Sequence, residues 1–205
     1  MNNSLLSIFE QGWPSKDTVC GWSSDIEHTK NIRWFISRYF LDKSNKFGIK
    51  SINDIGCGDL FWMKTIISPV IDDYVGYDCY SRANWPSLVE NGYKLNVCDV
   101  SKDSLRKADV CICRDIMIHL PNNMVLNIID NIKNSGAKYL FATNYLNPIQ
   151  EEDYSKYGFS NFERKNCPYI HHMKLDLTQA PFNLGRPLTS VAETYPYKNM
   201  SLWRL

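Results

Sequence analysis

Three aspartates, Asp54, Asp78 and Asp99, stand 24 and 21 residues apart, each interval about one strand-plus-helix unit. A single acid at the end of an apolar run is ordinarily a turn residue or a helix cap. Three in this rhythm place three carboxylates along one edge of a sheet. In an open α/β sheet, ligands settle beyond the carboxyl ends of the strands, where the strand order reverses. A carboxylate at Asp78 could accept from both hydroxyls of a ribose, since its two oxygens take two donors side by side. Asp99 could accept from an adenine amino group, with the Val100 N–H beside it. The pattern points to an adenosine-bearing ligand. Asp54 adds a further demand, because it stands directly before Ile55-Gly56-Cys57-Gly58. Gly56 and Gly58 allow a sharp turn and a close approach of backbone to ligand. The third glycine of a dinucleotide fingerprint would fall at Phe61, which argues against a pyrophosphate at this turn. An acid there suits a ligand with a positive end.

The elements that must carry these residues follow from the hydrophobic period. Residues 1–23 have none and read as an irregular arm. Ser24-Asp25-Ile26-Glu27 reads as a capping box. It opens a helix whose apolar face is Ile32, Phe35, Ile36, Tyr39 and Phe40. Ile49, Ile52 and Ile55 mark a first strand. Leu60, Phe61, Met63, Ile66 and Ile67 then predict a helix after the glycines, stopped at Pro69. Strands are predicted over 74–77, 93–97, 110–113 and 139–143. Pro86 allows only a short helix near Leu88. A longer one opens at Pro121, closes at Gly136 and buries Val125, Ile128, Ile129 and Ile132. This alternation predicts a parallel sheet with helices on both faces. Residues 144–168 are polar and aromatic without a period, as expected of a lid or substrate loop. Pro181, Gly185 and Pro187 punctuate a second loop, and 188–194 and 200–205 read as closing strands. The whole of 1–205 reads as one domain, with 1–45 covering the ligand and 144–187 lying over an acceptor pocket.

Composition bounds the function. The 205 residues carry a net charge of +1, with 44% hydrophobic and 22% charged residues. No nucleic-acid footprint is expected from such a balance. No apolar run approaches the roughly 18 residues of a membrane span, and Met1-Asn2-Asn3-Ser4 does not read as a secretory signal. Seven cysteines without a repeated Cys-x-x-Cys read as reduced thiols of a cytoplasmic protein. Cys111 and Cys113 would share one strand face as small hydrophobes.

S-adenosylmethionine, an adenosine with an ammonium and a sulfonium, meets the demands of the three acids and the glycine turn. At Asp54-Ile55-Gly56-Cys57-Gly58 the chain resembles the class I S-adenosylmethionine-dependent methyltransferases. It is more particularly similar to a group of small bacterial and viral methyltransferases of mostly unassigned acceptor. The resemblance is carried by Gly21-Trp22-Ser23-Ser24, by the run from Cys57 to Lys64, and by Cys113-Arg114-Asp115-Ile116-Met117-Ile118-His119-Leu120. Ser135-Gly136-Ala137-Lys138-Tyr139-Leu140, Ala180-Pro181-Phe182-Asn183-Leu184 and Leu202-Trp203-Arg204-Leu205 also fit. It implies a Rossmann-like seven-stranded sheet with an antiparallel last strand. It assigns S-adenosyl-L-methionine (product S-adenosyl-L-homocysteine) to Trp22, Ser23, Arg33, Asp54, Gly56, Cys57, Gly58, Asp78, Cys79, Asp99, Val100 and Arg114, with Arg33 facing the methionine carboxylate. Two departures stand out: Trp-Ser-Ser where relatives tend to have a glycine before the serine, and Pro86 in a helix that is usually longer.

On the acceptor side, Arg114-Asp115 replaces the Asn/Asp-Pro-Pro-aromatic run expected for exocyclic amines of DNA bases. Cys167-Pro168 follows the fifth strand, not the fourth, and reads as a loop proline beside a thiol. His119 lies where an acceptor should sit, and an imidazole suits a base near neutrality; the alternative is a histidine capping the turn before Pro121. Asp115 could orient that ring or take the proton itself. Trp13, Tyr145 and Arg186 are expected against the acceptor, and Tyr154, Tyr157, Phe159 and Tyr169 could wall its pocket. His171 and His172 are adjacent and make no metal pair, and no metal is expected. The reading is methyl transfer to oxygen, less favourably nitrogen, of a small molecule or saccharide, in cell-surface polysaccharide or secondary-metabolite modification. Two alternatives stand beside it: a cofactor-binding module without turnover, and a nicotinamide-dependent oxidoreductase.

Overall fold

The computed structural model describes residues 18–69, 73–145, 174–194 and 198–205. Seven strands form one sheet: β1 (Ser51–Ile55), β2 (Asp73–Asp78), β3 (Leu95–Val97), β4 (Val110–Cys113), β5 (Tyr139–Tyr145), β6 (Thr189–Ala192) and β7 (Lys198–Arg204). Their order is β3-β2-β1-β4-β5-β7-β6. The first five run parallel, and β7 is antiparallel to both β5 and β6. The chain winds outward from β1 to β3, then returns to lay β4 on the other side of β1. A crevice opens at that reversal, beyond the carboxyl ends of β1 and β4.

Side-chain alternation explains why both faces are covered. Val110 and Ile112 point to one face of β4, Cys111 and Cys113 to the other, and all four are buried. On the first face lies α1 (Lys30–Ile36), continued by one π turn, Ser37–Leu41. Its Phe35 stacks on Phe141 of β5 at 5.0 Å, and Phe40 meets the same ring edge-on at 5.3 Å. A short α2 (Trp85–Glu90) carries Pro86 in its first turn, where its missing N–H is harmless. On the opposite face of the sheet, α3 (Asn122–Asn134) buries Val125, Ile128, Ile129 and Ile132 against Leu140, Ala142 and Trp203. The period-3.6 stripe meets the period-2 strand face, as the sequence predicts.

Arg106 fastens the bottom of this frame. Its guanidinium donates to the Asn53 side chain at 3.0 Å, to the Ile52 carbonyl at 3.0 Å, and to the Asp73 carboxylate and carbonyl at 2.7 and 2.9 Å. One planar fork thus ties β1 to β2, which sets the two acids at their far ends in register.

Two expected elements differ. The helix expected after the glycines is a single 3-10 turn, Met63–Thr65. Leu60 is left-handed (φ 56°), the Thr65 hydroxyl turns back to the Trp62 carbonyl at 2.6 Å, and Ser68-Pro69 cannot continue a helix. Nor does the capping box form. Ser24 belongs to a 3-10 turn, Trp22–Ser24, and the Asp25 carboxylate takes the His28 N–H at 2.8 Å. The helix proper begins only at Lys30.

Candidate functional site

The glycine turn shapes the crevice at the end of β1. Gly56 and Gly58 take φ of 74° and 58°, a left-handed backbone that side-chain-bearing residues adopt at a cost. A Cβ at Gly56 would run into the Ile116 side chain, and one at Gly58 into the Cys20 sulfur. The loop is therefore closely roofed from both sides. Asp78, at the end of β2, fixes it from below: its Oδ2 accepts the Gly58 N–H at 2.9 Å. Oδ1 accepts the Tyr80 N–H at 3.2 Å and faces Arg82 at 3.4 Å.

Beyond these ends lies a cavity of about 270 Å³. Gly56, Asp78, Cys79, Cys98 and Val100 line one part of it, and Ser23, Arg114, Asp115, His119, Tyr145, Glu193 and Lys198 another. Most of the expected site residues thus come together. Arg82 and His28 also line it and were not anticipated. His28 holds the Asp25 carboxylate through Nδ1 at 2.8 Å.

Several expected residues lie elsewhere. Asp99 is turned into its own loop, accepting from Ser101 at 2.6 and 3.1 Å and from Lys102 at 2.8 Å. Its neighbours Cys98 and Val100 reach the cavity instead. Arg33 donates to the Ile26 carbonyl at 2.9 Å and does not line the cavity. Arg186 is exposed and away from it. Asp54 and Cys57 face a separate small cavity of about 30 Å³, shared with Ser24, Trp62 and Arg114. Gly58 lies behind the loop, its carbonyl accepting from the Trp85 indole at 2.8 Å. The Trp22 backbone joins the cavity-lining Ser23 in the turn Trp22–Ser24, and its side chain lies outside the described part. Trp13, Tyr154, Tyr157, Phe159, Cys167, Pro168, Tyr169, His171 and His172 lie outside the described residues.

The electrostatics divide the acids by role. Asp54 is buried, and burial pushes its carboxyl up to about 7; the Tyr74 hydroxyl at 2.6 Å opposes this, nearby Asp78 adds to it, and Arg114 opposes it. Asp115 behaves oppositely. Burial would raise it, but the Arg114 guanidinium and then the Lys198 ammonium hold its carboxyl well below the usual range. Lys198 Nζ lies 2.6 Å from Asp115 Oδ2, and the Thr143 hydroxyl donates to Oδ1 at 3.0 Å. A carboxylate so held is a poor proton acceptor, so Asp115 is not suited to be the base. Burial pushes the Cys79 thiol up to about 12, which removes it as a nucleophile near neutrality.

Sequence reasoning missed Glu193 and Lys198. Arg114, Asp115, Glu193 and Lys198 form one buried quartet: Glu193 Oε2 accepts from Arg114 at 2.7 Å and lies 3.1 Å from Lys198 Nζ. Glu193 follows β6 and Lys198 opens β7, paired through the Glu193 N–H to the Lys198 carbonyl at 2.9 Å. No local motif marks them. The signal was positional: two charged residues at the turn between the closing strands, which antiparallel pairing brings back to the end of β5.

No protein-family model and no curated protein matches the sequence. Solved structures do match by shape. Magnesium protoporphyrin IX methyltransferase (ChlM) from Synechocystis PCC 6803, with bound SAH, superposes with a TM-score of 0.61 at 13% identity, over 98% of this chain and 92% of that one. The N-methyltransferase NodS from Bradyrhizobium japonicum WM9, in complex with S-adenosyl-L-homocysteine, gives 0.60 at 15% identity, over 99% and 98%. The mitomycin 7-O-methyltransferase MmcR gives 0.57 at 11% identity, over 86% of this chain and 53% of that one. The chain has the fold of the class I S-adenosylmethionine-dependent methyltransferases.

Proposed function

We propose that the protein transfers a methyl group from S-adenosyl-L-methionine to an oxygen of a small molecule or saccharide, nitrogen being the second choice. The observation that carries this reading is the joining of a left-handed glycine turn, a strand-end carboxylate and a cavity with one charged wall at one sheet reversal, in this fold. The residues fit that cofactor. Asp78 Oδ2 has used one lone pair on Gly58 and keeps the other for a ribose hydroxyl. The Gly56 backbone lines the cavity, and Cys79, Cys98 and Val100 give an apolar seat for a purine. The Ser23–Ser24 turn, braced by Arg114, suits the methionine end. Asp99 and Arg33 have no part in this assignment.

S-adenosylmethionine supplies a methyl group on a sulfonium, which an acceptor oxygen displaces in line as the carbon–sulfur bond breaks. The protein's task is alignment and proton removal. His119 lines the cavity beyond β4 and takes the hydroxyl proton. Asp115 stays ionised and holds Lys198 and the Ser23 hydroxyl in place. No metal is required in this scheme. A role in polysaccharide or secondary-metabolite modification, and a cytoplasmic location, belong to the same proposal.

Titration calorimetry with S-adenosylhomocysteine tests the cofactor, and NAD(H) in its place tests the oxidoreductase alternative. His119→Asn and His119→Ala test the base. Both should remain folded, bind S-adenosylhomocysteine normally and lose about 10²–10⁴-fold in kcat. An active His119→Asn with a destabilised His119→Ala would make the histidine a turn cap instead.

A further inference from the structure

Glu193 carries an unexplained atom. Its side chain is 2% exposed and lines the cavity, and Oε2 serves both Arg114 and Lys198. Oε1 has no hydrogen-bond partner among the described residues. A buried carboxyl oxygen without a donor is costly, and this side chain lines the cavity, from which a ligand hydroxyl can supply one. Beside it, the Lys198 ammonium donates to Asp115 Oδ2 at 2.6 Å and pairs with Glu193 Oε2 at 3.1 Å, which leaves it donor capacity. A lone acceptor and a lone donor therefore stand together on one wall.

Their chemistry selects among ligands. A hydroxyl donates one hydrogen and accepts another, so it answers both. An ammonium only donates and would meet Lys198 and Arg114 as like charges. A carboxylate or phosphate only accepts and would meet Glu193 and Asp115. The quartet's two cations and two anions already cancel, so an added charge finds no counter-ion. We propose that Glu193 and Lys198 are the specificity pair for the methyl acceptor, and that the acceptor class is a neutral hydroxyl compound such as a monosaccharide or cyclitol. This rests on the methyltransferase reading above.

The test is a methyl-transfer screen on the full chain with S-adenosylmethionine, using neutral monosaccharides and cyclitols, amino sugars, and uronic acids as three probe sets. Turnover should be confined to the neutral set. Glu193→Ala should then lower kcat/KM for the best neutral probe by about 10–100-fold, mainly through KM, with S-adenosylhomocysteine affinity within about twofold. Glu193→Gln has a single oxygen, which Arg114 and Lys198 hold, and sets an NH2 where the free acceptor stood, so it should show a similar loss although those two contacts remain. Turnover confined to charged probes, a Glu193→Ala protein with unchanged KM, or no neutral turnover by a wild-type protein that binds S-adenosylhomocysteine each overturns the pair. Should Glu193→Ala not fold, the wild-type selectivity across the three sets decides. A wild-type protein that does not bind S-adenosylhomocysteine overturns the methyltransferase reading itself.

Discussion

Replacing Asp54 with asparagine isolates the most perturbed carboxyl at the end of β1. Asp54 is 3% exposed, its Oδ2 accepts from the Tyr74 hydroxyl at 2.6 Å, and burial lifts its pKa from 3.8 to about 7. The sign follows from proton uptake. Between about pH 4 and 7 the folded protein holds a proton that the unfolded chain has released, so stability falls as pH rises through that window. Below it both states are protonated and nothing is lost. Each tenfold change in the proton equilibrium is worth about 1.36 kcal/mol, so the loss is about 1–2 kcal/mol at pH 5 and about 4 kcal/mol at pH 8. The carboxamide introduced by Asp54→Asn would keep an oxygen for Tyr74 and carry no charge at any pH. The Asp54→Asn protein should therefore exceed the wild type in stability, by a margin that widens by about 2–3 kcal/mol from pH 5 to pH 8. Urea unfolding followed by tryptophan fluorescence at four pH values measures this. A margin that is flat, or that shrinks with rising pH, would refute the account, since only an uncompensated buried carboxyl produces the slope.

Asp78→Ala should fold yet lose the charge-assisted bond from a ribose hydroxyl to Oδ2, about 1.5–3 kcal/mol, along with the Gly58 N–H anchor, and weaken S-adenosylhomocysteine by at least that much in calorimetry. Unchanged affinity would remove the adenosine assignment. Gly56→Ala should lower stability by about 1–2 kcal/mol from its left-handed backbone alone. It should also abolish cofactor binding, because the new methyl meets Ile116 at the roof of the turn; a fully binding variant would show that the turn is not the cofactor's seat. Exhaustive chelation should leave methyl transfer intact, and recovery of lost activity by Mg²⁺ would contradict the metal-free scheme.

What the sequence made legible was whatever depends on period and local chemistry. The Val125, Ile128, Ile129, Ile132 stripe and the alternation of Val110 to Cys113 each state their own geometry, so α3 and β4 lie where expected. Gly56 and Gly58 needed only the turn. The failures were of another kind. The apolar residues from Leu60 to Ile67 have a helical look, but Asp59 draws the chain aside by accepting from Thr18 and Val19, some 40 residues away. Asp99 has the right position in the strand rhythm, yet Ser101 and Lys102 are nearer donors than any ligand. Glu193 and Lys198 come to the site only through antiparallel pairing across the sheet, which no local pattern encodes.

The quartet bears on why this wall exists. Arg114, Asp115, Glu193 and Lys198 have side chains 5%, 16%, 2% and 5% exposed. Taking four charges out of water is expensive, and well-packed apolar residues of similar volume commonly serve stability as well or better. Asp115 adds strain, with φ of 57° at a residue that carries a Cβ. Two atoms of the cluster, Arg114 Nε and Glu193 Oε1, also go without hydrogen bonds among the described residues. Buried charge, backbone strain and unpaired polar atoms thus gather on one wall of one cavity, while α3 and β4 behind it obey period, burial and pairing. A fold that sets these costs side by side gives up stability there, and in the proposed reading the place faces the space that an acceptor would enter.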